Sequence, residues 1–311
     1  NIILQAYIKH THKKLKTLLL IGGTGFFGKS LTIYAEKKSL KKWNINKIIN
    51  ISRRRNQKIN NKNLKIINIY SDIRKIKNIP ESDYIIYAAN TNNNKINLEG
   101  LKNFIKIIKK NNIKSNILFT SSGIVYGVNN KNIKIKENQK TNISKLKNLI
   151  GYKKNYSKTK LLMEKSLKEL NLLNFKIVIG RCFTFIGKEI LNNHNYAISN
   201  FIHQAKTQKK IIVKSSDIFR SYMHANDLVE WLITMVVNSK KKYSIYNVGS
   251  DQAIRLDNLA KLIAQNLRSK VVISKKTNNK KDFYVPSIHK AKKILGLKLK
   301  YNLKKSIKDI L

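Results

Sequence analysis

The sequence predicts an α/β fold, a doubly wound parallel sheet with a smaller C-terminal lobe. Three observations carry that expectation. Short runs rich in Ile, Leu and Val alternate with helix-length amphipathic segments, the pattern of parallel strands covered by helices on both faces. Four of the 12 glycines fall within residues 22–28, at the junction between the first strand-type run and the first helical one. Beyond residue 181 the alternation becomes irregular, which marks a change of lobe.

In chain order, strands are expected at 16–21, 47–52, 64–69, 84–88, 116–121 and 175–179, because these runs are short, apolar and rich in β-branched residues. Between them, 26–38, 96–111 and 156–170 repeat apolar residues at helical spacing with Lys on the opposite face. Later helices are expected at 197–206, 226–237 and 256–267, and short strands at 211–213 and 243–248. The Lys- and Asn-rich stretches 56–63, 129–148 and 274–281 read as surface loops. The division that follows is an N-terminal extension at 1–15, a ligand-binding domain at 16–182 with 222–250, and a smaller lobe at 183–221 with 251–311.

Composition bounds the function. The chain carries 64 Lys and Arg against 16 Asp and Glu, a formal charge of +48, and only eight of the cations are Arg. Such a charge suits nucleic acid or an anionic surface, and a basic binder is one function class to weigh. However, the lysines are spread along the chain, and they accompany 40 Asn and only two Pro, the signature of drift toward A/T-rich codons. Specific nucleic-acid recognition is therefore not expected. A single cysteine, Cys182, excludes an internal disulfide and a Cys-based zinc site, which fits a cytoplasmic location. No stretch approaches 18 apolar residues, so no membrane span is expected. The start at Asn1 points to a trimmed or partial chain. Six scattered histidines (His10, His12, His194, His203, His224 and His289) show no metal-binding spacing, and no metal is expected.

The glycine turn is the most informative motif. In Gly22-x-x-Gly25-x-x-Gly28 the first glycine allows a sharp turn, the second a close approach by pyrophosphate, and the third close packing of helix on strand. Strand, turn and helix in this order indicate a Rossmann-type dinucleotide site. The second strand ends Ser52-Arg53-Arg54-Arg55, without the acid that would hold an adenosine ribose. Guanidinium groups there suit a 2′-phosphate, which favours NADP over the alternative, NAD.

Tyr156 and Lys160 lie four residues apart, one turn on a helix face. Tyr34/Lys38 and Tyr301/Lys305 share that spacing, so context singles out Tyr156: it is expected to begin the helix after the strand that ends in Ser121-Ser122-Gly123-Ile124-Val125-Tyr126-Gly127. In this arrangement the sequence resembles the extended short-chain dehydrogenases/reductases, the NAD-dependent epimerase/dehydratase group acting on nucleotide sugars. The resemblance runs from about residue 16 to the C-terminus and includes the turn at 22–28, Asp72-Ile73, Ala88-Ala89, the Ser122 element, Tyr156-Ser157-Lys158-Thr159-Lys160, Arg181 to Gly187, Asn200-Phe201-Ile202, Arg220-Ser221-Tyr222 with Asp227, and Tyr246 to Gly249.

The resemblance implies Ser122, Tyr156 and Lys160 as catalytic residues. It implies cofactor contacts at Gly22, Gly25, Phe26, Phe27, Gly28, Ser52, Arg53, Arg54, Asp72, Ile73, Ala88, Ala89, Tyr156 and Lys160. Substrate contacts would come from Ser122, Thr184, Asn200 and Arg220, with Thr184 standing where relatives often carry Asn. A phenol drawn down by an ammonium and an oxidised nicotinamide would exchange a proton with a sugar hydroxyl. Gly123-Ile124 replaces the acid pair of 4,6-dehydratases and the glutamate of decarboxylases, and no cysteine stands near Ser122 as in GDP-fucose synthase. Cys182 and His224 are expected to be packed strand residues, and Ser121 cofactor-facing or structural. The expected activity is 4-keto reduction of a nucleotide-diphosphate sugar, with 4-epimerisation as the alternative and a homodimer as a possible assembly.

Overall fold

The computed structural model describes residues 15–55, 64–141, 143–171, 173, 175–191, 195–215, 217–238, 242–274 and 281–311. Most of the expected N-terminal extension, the loop at 56–63, most of the loop at 274–281, and His10, His12 and His194 lie outside the described residues.

The main sheet is built from β1 (Lys16–Ile21), β2 (Ile45–Ser52), β3 (Lys65–Tyr70), β4 (Tyr84–Tyr87), β5 (Asn116–Ser122), β6 (Lys176–Cys182) and, later in the chain, β11 (Tyr243–Val248). All its pairings are parallel, in the order β11-β6-β5-β4-β1-β2-β3. Order reverses between β1 and β4, so a crevice opens at their carboxyl ends. The helices α1 (Phe26–Lys37), α2 (Asn94–Lys110), α3 (Gly151–Asn171) and α5 (Ala225–Asn238) cover the two faces. Leu18 and Leu20 of β1 enter one core with residues of α1 and α5, while Leu19 and Ile21 enter the other with residues of α2 and α3. That alternation is the period-two consequence of a strand buried on both sides.

The rest of the chain forms β7 (Phe185–Ile186), α4 (Ala197–Gln208), β8 (Lys210–Val213), β9 (Ile218–Arg220), β10 (Met223–His224), β12 (Ile254–Arg255), α6 (Leu256–Leu267), β13 (Lys270–Ile273), β14 (Asp282–Tyr284), α7 (His289–Leu295) and α8 (Leu303–Ile310). A separate core joins Ile198, Phe201 and Ile202 of α4 to Leu259 and Ile263 of α6 and Ile307 of α8. Among the described residues no helix is long and apolar enough to cross a membrane.

Two expectations change. Helix α3 starts at Gly151, so Tyr156 lies in its second turn and does not begin it. The polar stretch Gly151-Tyr152-Lys153-Lys154-Asn155 hides the helical period, yet Tyr152 stacks on Tyr156 at 5.5 Å, the contact expected of residues four apart. The stretch 129–148 is not wholly surface: Ile135 bridges Pro286 and is buried, as is Leu146.

Candidate active site

At the end of β1 the chain turns on Gly22, whose φ of +103° few other residues adopt. A Cβ there would lie 2.6 Å from the Ala89 amide nitrogen, so the turn and the Ala88-Ala89 pair after β4 fit each other across the crevice. A Cβ on Gly28 would lie 2.4 Å from the Gly23 carbonyl, so only glycine lets α1 pack this closely under the turn. Gly25 precedes α1, no side chain caps the helix, and no acid sits in its first turn. The free N–H groups and the positive end of the helix dipole are thus left for an anion. Phe26 lies tilted against Phe185 at 5.9 Å and Phe27 meets it edge-on at 5.6 Å, and these contacts pin the turn to β7. This cradle, which a Cβ would fill, fits the pyrophosphate of a dinucleotide.

Along the same edge, Ser52 is buried and donates to the Arg54 carbonyl at 2.8 Å, shaping the turn after β2. Arg53, Arg54 and Arg55 are exposed and form no ion pair among the described residues. Asp72 is held by Arg74 at 2.7 Å, and hydrogen bonds from that guanidinium keep its carboxyl below the usual range. Ile73 packs over Gly100, where a Cβ would come within 2.9 Å of its side chain.

The residues expected to be catalytic lie where β5, β6 and α3 meet. Lys160 is 2% exposed, and its ammonium donates to the Thr120 carbonyl of β5 at 3.1 Å. It lies 4.8 Å from the Phe119 ring centre and 5.6 Å from that of Tyr156. Burial pushes its pKa down to about 8. Burial raises the Tyr156 phenol above its ordinary 10.0, and the neighbouring Tyr152 and Tyr284 raise it further; the expected lowering by an ammonium together with an oxidised nicotinamide is not a property of the protein alone. Ser122 accepts from the Ile124 amide at 3.3 Å and hydrogen-bonds Tyr284, whose phenol lies within electrostatic reach of Tyr156. Cys182 is a buried residue of β6, and burial raises its thiol to about 12, which makes it a packed side chain at neutral pH.

The expected substrate residues are less uniform. Arg220 ion-pairs with Asp282 at 2.7 Å and lies 5.6 Å over the Tyr284 ring, beside the cluster. Asn200, on α4, accepts from Gln204 and is half-buried. Thr184 donates to the Ser221 carbonyl, so its hydroxyl is already engaged in the protein. His224 is a buried β10 residue bonded to Asp309 at 3.1 Å. The competing tyrosines have structural partners: Tyr34 donates to Glu230 at 2.8 Å, and Tyr301 stacks on His224 at 4.0 Å. No group of His, Cys, Asp or Glu able to hold a metal occurs among the described residues.

Sequence reasoning missed Tyr284 and the buried pair Glu164–Arg181. Tyr284 gives no local signal, being brought in by β14. Glu164 does give one, as a rare acid one turn beyond Lys160 and the first carboxylate after Glu137.

The sequence model of the NAD dependent epimerase/dehydratase family matches residues 18–249. The fold is similar to that of RMD from Pseudomonas aeruginosa complexed with NADPH, with a TM-score of 0.77 and 18% identity over 95% of this chain and 97% of that one. It is also similar to UDP-glucose 4-epimerase from Thermotoga maritima with UDP-glucose, with a TM-score of 0.74 and 18% identity over 94% and 96%. The N-acetyl-alpha-D-glucosaminyl-diphospho-ditrans,octacis-undecaprenol 4-epimerase of Escherichia coli O157:H7 is 25% identical over 178 residues, 57% of this chain and 49% of that protein. The match thus spans about half the length of this curated relative.

Proposed function

We propose, from the premise that this chain belongs to the NAD-dependent epimerase/dehydratase family, that it performs oxidoreduction at C4 of a diphosphate-linked sugar, reducing a 4-keto group with NADPH. The observation that carries this is the cluster of Ser122, Tyr156 and Lys160 at the carboxyl edge of the sheet, beside a glycine turn built to take a pyrophosphate. When bound, a nicotinamide supplies or takes hydride at the sugar carbon. Tyr156 holds the matching proton at the C4 oxygen. Its phenol, raised by burial, is protonated at neutral pH, the state needed to donate to an oxygen that gains negative charge during reduction. Ser122 orients the same oxygen, and Lys160 fixes the phenol's surroundings through its bond to β5.

Arg53 and Arg54 would take the 2′-phosphate of NADP, while Gly22, Gly25, Gly28 and the start of α1 would hold the pyrophosphate. Arg220 and Asn200 would meet the substrate diphosphate, Arg220 turning from or sharing Asp282. A second reading, 4-epimerisation without net cofactor use, is favoured by the similarity to the Escherichia coli 4-epimerase. The test is to supply NADPH and NADH with 4-keto and C4-epimeric nucleotide sugars. Stoichiometric NADPH loss with a 4-keto sugar supports reduction; interconversion of epimers without cofactor loss selects the epimerase.

A further inference from the structure

Glu164 lies one turn beyond Lys160 on α3 and is 5% exposed, so its carboxylate needs partners. It has three contacts to two. Arg181 of β6 grips it side-on, Nη2 to Oε2 at 2.7 Å and Nε to Oε1 at 3.1 Å, and the Ser121 hydroxyl of β5 donates to Oε1. Arg181 in turn lies 4.7 Å over the Tyr126 ring, and the Tyr126 hydroxyl donates to Asn247 at 2.8 Å. Two successive residues of β5 are therefore tied to α3 immediately before Ser122: Thr120 by its carbonyl to Lys160, and Ser121 by its hydroxyl to Glu164. These ties set where the strand that ends in Ser122 stands against the helix face that carries Tyr156 and Lys160.

We propose that Glu164 is a positioning residue for the Ser122–Tyr156–Lys160 cluster, clamping the carboxyl ends of β5 and β6 to α3 through Ser121 and Arg181. The proposal rests on the catalytic reading given above and adds a residue that touches neither the sugar nor the cofactor. A carboxylate, rather than an apolar filler, stands here because one side chain must hold a strand hydroxyl and a buried guanidinium at once. Its charge also acts on Lys160, whose charged and titratable neighbours are Tyr156 and Glu164 on α3 and Cys182, next to Arg181, on β6; the Thr120 carbonyl of β5 accepts its hydrogen bond. Glu164 opposes the desolvation of the ammonium, so its loss makes Lys160 deprotonate at lower pH.

The test is Glu164→Gln, which keeps the shape and loses the charge, read in two ways. Turnover should fall about tenfold or more at unchanged KM, the loss expected of misplaced catalytic groups. In the cofactor-free protein, side-chain NMR of nitrogen-labelled lysine, with the Lys160 signal assigned by its disappearance in Lys160→Arg, should show the titration midpoint moved to lower pH. Gln leaves Arg181 buried and unpaired, so the companion variant Glu164→Gln/Arg181→Met removes that charge. Low turnover in the folded double variant supports positioning. Parental turnover in the double variant would show that Glu164 merely neutralises Arg181, and parental turnover and titration in the single variant would equally overturn the proposal. Activity retained by Tyr156→Phe would remove the catalytic reading, whereas the Lys160 titration in Glu164→Gln reads Glu164 by itself, so the two failures are distinguishable.

Discussion

An ammonium that is 2% exposed and held by one carbonyl is charged at a cost that depends on pH. Lys160 has a folded pKa of about 8 against an ordinary 10.5. Between these values the unfolded chain binds more protons, so stability due to this residue rises with pH from about 8 to 10.5; below 8 the buried charge costs on the order of 3 kcal/mol. The thermal stability of Lys160→Met should therefore exceed that of the parent most near pH 7, and the gap should narrow as pH rises through that window. Melting curves across pH check this, and a constant gap would show that the ammonium is better solvated than its surroundings suggest. Tyr156→Phe should lower turnover at least about a hundredfold, the low end for a positioned acid or base, while cofactor binding stays near parental. Tyr34→Phe and Tyr301→Phe should keep turnover within a fewfold, because their hydroxyls bond Glu230 and Asn226, away from the cluster.

Elements place these residues, and the glycine turn shows how strictly. Gly28→Ala sets a methyl against the Gly23 carbonyl at 2.4 Å, so either β1 or α1 must shift. Its expected effect is loss of dinucleotide binding together with a lower melting temperature. Gly25→Ala finds 3.5 Å to its nearest contact, the Gly22 carbonyl, and should leave the melting temperature unchanged while weakening dinucleotide affinity, which isothermal titration separates from folding. This junction was legible in the sequence because its constraints are local: a strand, a turn without Cβ atoms and a helix lie within about a dozen residues. The six main strands up to residue 182 were legible for the same reason, as short apolar runs, five of them inside the sheet and β3 a half-buried edge. The start of α3 was not, since Tyr152 and its lysines carry no helical period and the turn is held by stacking on Tyr156. Tyr284 and the Arg220–Asp282 pair were illegible in kind, being products of β14 pairing with β9 across more than 60 residues of chain.

At the scale of the whole molecule the dominant fact is charge. Sixteen carboxylates cannot pair 64 cations, so most lysines are left as exposed charge of one sign. Self-repulsion of that kind weakens the compact state at low ionic strength, and salt screens it, the Debye length falling from about 30 Å at 0.01 M to about 10 Å at 0.1 M. The melting temperature should therefore rise as sodium chloride is added across that range, a direction opposite to that of a fold held by surface ion pairs. The same field will attract nucleic acid, but the nature of the cations decides what such binding can read. Only eight are Arg, the residue suited to base edges, and those with assigned partners, Arg74, Arg181, Arg220 and Arg255, are occupied by Asp72, Glu164, Asp282 and Asp257. Affinity for single- and double-stranded oligonucleotides of different sequence should accordingly be equal within a fewfold and fall steeply and in parallel with salt. Fluorescence anisotropy over a salt titration measures this. One sequence held tightly at physiological salt, with a slope unlike the others, would show that the lysines form a recognition surface and that the charge has a function beyond compositional drift.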